Sequence, residues 1–172
     1  MGLLDQLSRF GQFVGHRAVW RAYFLALDVP MFFSWRSRDY FGAKIEGPKS
    51  NIHFLHTTYT GPKFAPNATG RLWEGATVTY VCLQLAFHMG FETVILIGVD
   101  HSFSTQGKPN TTIISQGDDP NHFAANYFGK GFRWQLPDLD TSEIGYWMAK
   151  KSYESAGRRV LDATVGGEAT GV

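Results

Sequence analysis

The chain has one cysteine, Cys82, in 172 residues. That single thiol excludes an intrachain disulfide framework and a thiolate zinc site. Cys82 lies within an apolar pattern and is expected to be a small buried core residue. No long hydrophobic run is present either. Asp5, Arg9 and Arg17 interrupt the opening MGLLDQLSRFGQFVGHR before a signal-peptide core or a membrane span can form, so a cytoplasmic protein without a membrane span is expected. Charge of one sign is also lacking: 16 Lys and Arg stand against 15 Asp and Glu, for a net charge of +1. The basic residues are scattered, which argues against nucleic acid or an anionic membrane as partner. Neither GxGxxG nor GxxxxGK[ST] occurs, so no complete glycine fingerprint for phosphate is available. The sequons at Asn67 and Asn110 then indicate only loops.

A chain of this length is expected to form one domain over residues 1–172 with a sizeable core. Apolar positions Leu4, Leu7, Phe10, Phe13, Val14, Val19, Trp20, Phe24 and Leu27 recur at helical spacing, with Gly11 and Gly15 as weak points. After Asp28-Val29-Pro30, the aromatic segment 31–35 suits a strand, and NIHFLHTTY (51–59) a second one. Residues 60–70 hold two prolines and several turn formers. Val78, Val81, Cys82, Leu85, Ala86 and Met89 then place one apolar face on a helix over 74–89, stopped by Gly90. The continuous apolar run 93–99 follows, as expected of a central parallel strand covered on both faces.

Residues 104–138 show little periodicity, and a connection of that length is expected to be a functional loop. Asp140-Thr-Ser-Glu143 has the form of a capping box. It starts a helix to about Ala156 that is expected to bury Ile144, Trp147 and Met148. Gly157 stops that helix, and a strand over 159–164 and a loose tail complete an α/β order with a mainly parallel, doubly wound sheet.

In such sheets ligands bind beyond the carboxyl ends of the strands. The apolar run 93–99 ends there on Asp100, His101 and Ser102. Asp100 either accepts hydrogen bonds from a ribose or caps the strand end, His101 can shuttle a proton, and Ser102 can bind phosphate. At the start of the central helix, Gly75 either lets backbone amides near Thr77 approach an anion or permits close helix packing. In DDPNHFAANYFGKGFRW (118–134), Asn121 and His122 bring an amide and an imidazole into a loop, and Lys130 and Arg133 can face a phosphate. Asp118 and Asp119 are solvated or hold a hard cation beside a nucleotide. His53 and His56, three apart on a strand, point to opposite faces and make a poor metal pair, so no protein-held metal site is expected.

GATVTYVCLQLAFHMGFETVILIGVDHSF, then DPNHFAANYFGKG, then a helix ending in AGRRVLDATVGG resembles the 6-hydroxymethylpterin diphosphokinase-like family, which includes motility accessory factors that glycosylate flagellin. The series is also similar to the bacterial sialyltransferases. The resemblance covers roughly residues 70–167. It implies a Rossmann-like fold, a mainly parallel sheet with helices on both faces, here without the N-terminal βαβ portion of the relatives. It further implies that Gly75, Ala76 and Thr77 lie near the donor, that Gly98 and Asp100 close the strand, and that Asn121 and His122 face the reaction centre.

Three functions remain open. One is a sialyltransferase-like glycosyltransferase that moves a nonulosonic acid from a CMP-sugar to a glycan or glycoprotein hydroxyl, with His122 as base and no required cofactor. Another is a pterin pyrophosphokinase-like phosphotransferase using ATP and magnesium. The last is a non-catalytic nucleotide-binding or assembly module, which would expose an apolar face and form a homo-oligomer.

Overall fold

The aromatic segment Met31-Phe32-Phe33 suits an extended backbone, and Ser34 ends it by capping the turn that follows. In the computed structural model, which describes residues 24, 26–41, 51–99, 107–117 and 130–164, this is strand β1 (Met31–Ser34). It pairs in parallel with β2 (Ile52–Leu55), with Met31 opposite Ile52. The Ser34 hydroxyl accepts from the Arg36 amide and opens a 3₁₀ turn, Trp35–Ser37, which leads into a single helical turn, α1 (Arg38–Phe41). Phe41 and Ile52 are buried among Phe24, Met31, Phe33 and Phe54. The rings meet at an angle, Phe33 to Phe41 at 4.7 Å and Phe24 edge-on to Phe33 at 5.4 Å, the geometry aromatic quadrupoles favour. Most of the helix expected over 3–27 lies outside the described residues.

The strand expected over 51–59 is present but changes partner at His56. Beyond it, β3 (Thr57–Thr58) pairs in parallel with β4 (Leu72–Trp73). Helix α2 (Val78–His88) begins with Thr77 as N-cap. It ends where Gly90, at φ +88°, takes the left-handed conformation; the Phe91 amide donates to the Ala86 carbonyl and the Gly90 amide to that of Phe87. This is the Schellman arrangement, and glycine provides it without steric cost. Strand β5 (Thr93–Leu96) follows at once.

Two short antiparallel strands, β6 (Thr112–Ile114) and β7 (Arg133–Gln135), lie within the segment expected to be a loop. Three residues each are too few to show a period, but they bury Trp134 and Leu136 against Ile113 and Phe132. Helix α3 (Leu139–Ser155) is capped by Asp138, which accepts from the Thr141 amide, rather than by Asp140. It closes at Gly157 in the same Schellman form, and β8 (Arg159–Asp162) then pairs in parallel with β5.

The buried faces of both long helices differ from the expected ones. α2 buries Tyr80, Leu83 and Gln84, whereas Val78 and Met89 are exposed, and so is Cys82. α3 buries Ser142, Gly145, Tyr146, Ala149 and Tyr153, and leaves Ile144 and Trp147 exposed. The cause is Tyr80, which fills the space between the helices. A Cβ on Gly145 would come within 3.1 Å of its ring, and one on Gly75 within 2.5 Å. Small residues on α3 are therefore what allow close approach, and the bulky Ile144 and Trp147 turn outward.

The strands form small two-stranded sheets, three parallel and one antiparallel, among the described residues. The expected single doubly wound sheet, and with it a Rossmann-like arrangement, is not confirmed. The run 93–99 shows why: the strand stops at Leu96, and Gly98 at φ +66° bends the chain away. Leu96 packs inward with Val94, whereas Ile97 is 77 % exposed and Ile95 lies beside it on the open face. No helix among the described residues is long and apolar enough to cross a membrane.

Candidate functional site

Parallel strands present their carboxyl ends at a common edge, where polar groups can gather without opening the core. β1 leads to Arg36, β3 to Tyr59 and β4 to Glu74. The Arg36 guanidinium lies over the Tyr59 ring, 4.8 Å from its centroid, and its Nη1 donates to the Tyr59 hydroxyl at 3.0 Å. Burial raises the pKa of Tyr59, the Glu74 carboxylate adds to the rise, and Arg36 opposes it. Trp35 stacks on the His56 ring at 4.7 Å and carries the Arg38 guanidinium at 4.6 Å. Trp35, Tyr40 and Tyr59 all keep large exposed surfaces.

Glu74 also opens the turn into α2. The Thr77 amide donates to the Glu74 carbonyl at 3.1 Å, and Gly75 (φ +54°) and Ala76 (φ +59°) are both left-handed. A mirror-image turn requires this of its two central residues. Glycine meets the requirement freely, whereas Ala76 holds strain of about 1 kcal/mol. The Thr77 hydroxyl accepts from the Thr79 amide.

Tyr146 of α3 is buried, and burial is the main cause of its raised pKa; the Thr77 and Thr79 side chains oppose the rise, and the Asp162 carboxylate adds to it. Asp162 ends β8 and accepts from the Thr164 amide at 2.9 Å, while the Thr164 hydroxyl accepts from the Val99 amide at 3.1 Å. Polar groups thus follow one another along this edge: Arg36 bonded to Tyr59, Glu74 at the Gly75 turn, and Asp162 bonded to Thr164, whose hydroxyl accepts from Val99 beside Gly98.

The structure therefore places Gly75, Ala76 and Thr77 in one turn and Gly98 at the joined ends of β5 and β8. Arg133 sits exposed on β7 and Lys130 exposed in the turn before it. Neither side chain makes a hydrogen bond or ion pair to that edge among the described residues. Gly131 donates to the Ser115 carbonyl and Ser115 to that of Phe132, so the chain on the two sides of residues 118–129 comes together. Asp100, His101, Ser102, Asp118, Asp119, Asn121 and His122 lie outside the described residues. No group of three or more His, Cys, Asp or Glu suited to a metal ion is found among the described residues.

Sequence reasoning missed Arg36, Tyr59, Glu74, Tyr146 and Asp162. A signal existed for two of them: Arg36 directly follows one expected strand and Tyr59 ends another, the position that drew attention to Asp100. Tyr146, in mid-helix, carries no such mark.

The class defined by these features is a mixed α/β protein with short, mostly parallel strands whose carboxyl ends carry a set of polar and aromatic groups. Residues 10–106, more than half of the chain, match the family described as 6-hydroxymethylpterin diphosphokinase MptE-like, and the chain belongs to that family. The match includes the N-terminal segment that the sequence resemblance, drawn over 70–167, left out. Neither a curated protein nor a solved structure matches the chain. A similarity to the sialyltransferases is not shown by these comparisons.

Proposed function

We propose that the chain transfers a diphosphoryl group from a nucleoside triphosphate to the hydroxymethyl group of a pterin or a similar heterocycle. Family membership is the observation that carries this reading, and it favours the pterin reaction over the glycosyltransferase. In the reaction the hydroxyl oxygen bonds to the β-phosphorus. The bond from that phosphorus to the oxygen bridging it to the α-phosphorus breaks, nucleoside monophosphate leaves, and the hydroxyl proton passes to a base. His122 is the proposed base. The Gly75-Ala76-Thr77 turn, Gly98, Ser102, Asn121, Lys130 and Arg133 are proposed to face the nucleotide, all within a single domain.

Magnesium binds through few protein ligands and keeps water and phosphate oxygens as the rest, so one or two carboxylates suffice. Asp100, with Asp118 or Asp119, is proposed to hold it. Bound there, it would neutralise charge on the phosphoryl oxygens.

The test is incubation with ATP, magnesium and 6-hydroxymethylpterin, with products identified by mass spectrometry. The expected products are AMP and the pterin diphosphate, with His122→Ala slower by about 100-fold or more. A parallel incubation with a CMP-activated nonulosonic acid and an acceptor glycan separates the alternatives. Release of CMP with sugar transfer, or nucleotide binding without any turnover, would replace this reading.

A further inference from the structure

We propose that Arg36 is an anion-binding arm at the carboxyl end of β1, held in place by Tyr59, and that it takes the phosphate chain of the nucleotide. This inference rests on the reading above, in which the chain handles a nucleoside polyphosphate.

Arg36 follows β1 directly, and its backbone is fixed because its amide donates to the Ser34 hydroxyl. The guanidinium is fixed as well, by the Tyr59 ring beneath it and by the bond to the Tyr59 hydroxyl. Among the described residues, Tyr59 is the group to which the guanidinium hydrogen-bonds and on which it stacks. A guanidinium has five N–H donors in a rigid fork, so most of this fork is available to a ligand. Such a fork matches phosphate oxygens in pairs, which is where arginine exceeds lysine.

The negative group nearby, Glu74, acts electrostatically on the Tyr59 hydroxyl but makes no ion pair with the guanidinium among the described residues. The carboxylate therefore does not occupy the fork. An ordinary surface cation–π pair would account for the stacking alone. It would not account for the added bond from Nη1 to the Tyr59 hydroxyl, which joins groups that follow two different strands.

The test uses the full chain and calorimetric titration with inorganic tripolyphosphate and, separately, with adenosine. Arg36→Gln is expected to weaken tripolyphosphate binding about ten- to a hundredfold, the loss of charge-assisted hydrogen bonds, and to leave adenosine binding unchanged. Tyr59→Phe keeps the ring and removes the hydroxyl, and a smaller loss is expected. Arg36→Lys should restore part of the affinity and also controls for folding. Equal tripolyphosphate affinity in wild type and Arg36→Gln overturns the inference, as does an absence of tripolyphosphate binding in the wild type. If tripolyphosphate binds through Arg36 but ATP and pterin yield no AMP, the diphosphotransfer reading falls and the anion arm stands.

Discussion

Gln84 shows how one polar side chain can organise a core. It is fully buried, its Oε1 accepts from the amides of Ala65 and Trp73, and its Nε2 donates to the carbonyls of Trp73 and Tyr80. The amide thereby fastens the irregular 61–66 connection and strand β4 to α2. Gln84→Leu would preserve volume but leave buried backbone groups unpaired, each at about 1–3 kcal/mol. A loss of about 3 kcal/mol in urea-unfolding free energy is expected, and an unchanged midpoint would contradict this account. The sequence did not mark Gln84, because hydropathy places glutamine outside. The same holds for the buried tyrosines: Tyr80 donates to the Lys63 carbonyl and Tyr153 to that of Leu83, both at 2.8 Å. A phenol with an acceptor can be buried as readily as leucine, and a pattern of aliphatic residues does not reveal that acceptor.

At the scale of elements, the carboxyl ends of helices were legible, and their starts and faces were not. Gly90 and Gly157 end their helices as expected, since a left-handed terminal residue is a local demand that sequence states directly. The face a helix buries depends on its neighbour, and Tyr80 decided it here. The turn from Glu74 to Thr77 joins the two levels, being both local conformation and contact with Tyr80. Gly75→Ala meets a positive φ and a Cβ contact of 2.5 Å with the Tyr80 ring, and about 2–3 kcal/mol of destabilisation is expected. Ala76→Gly removes strain at the adjacent position and should be neutral or stabilising by up to about 1 kcal/mol. Thermal or urea unfolding of the pair checks this, and the opposite order of stability would refute the turn geometry. At the candidate site, the rule that strand ends carry function was sound. It was applied to Asp100 and not to Arg36 or Tyr59, although each stands at the end of an expected strand.

For the molecule as a whole, the mostly parallel character was legible from helix, glycine and apolar strand in succession, but the number of strands joined in each sheet was not. Pairing partners lie far apart in sequence, and short strands such as β4, β6 and β7 have no period to find. Buried phenols give the whole fold a dependence on alkali. Burial pushes Tyr153 up to about 12, with Arg158 opposing, and raises Tyr80 and Tyr146 as well. An unfolded tyrosine titrates near 10. A folded pKa above that value means the stabilisation is complete below pH 10 and is lost as pH climbs toward 12. The melting temperature should therefore be insensitive to these groups between pH 7 and 9 and fall steeply above 10. A flat profile to pH 12 would mean that the phenols are not buried.

Because β5 and β8 run the same way and each directly follows its helix, α2 and α3 also run the same way. Antiparallel helical neighbours largely cancel each other's fields. Two co-directional ones add, each contributing about half a unit of positive charge at its amino end. The same end of the molecule that collects the strand termini is thus biased toward positive potential by the backbone itself, whatever side chains stand there.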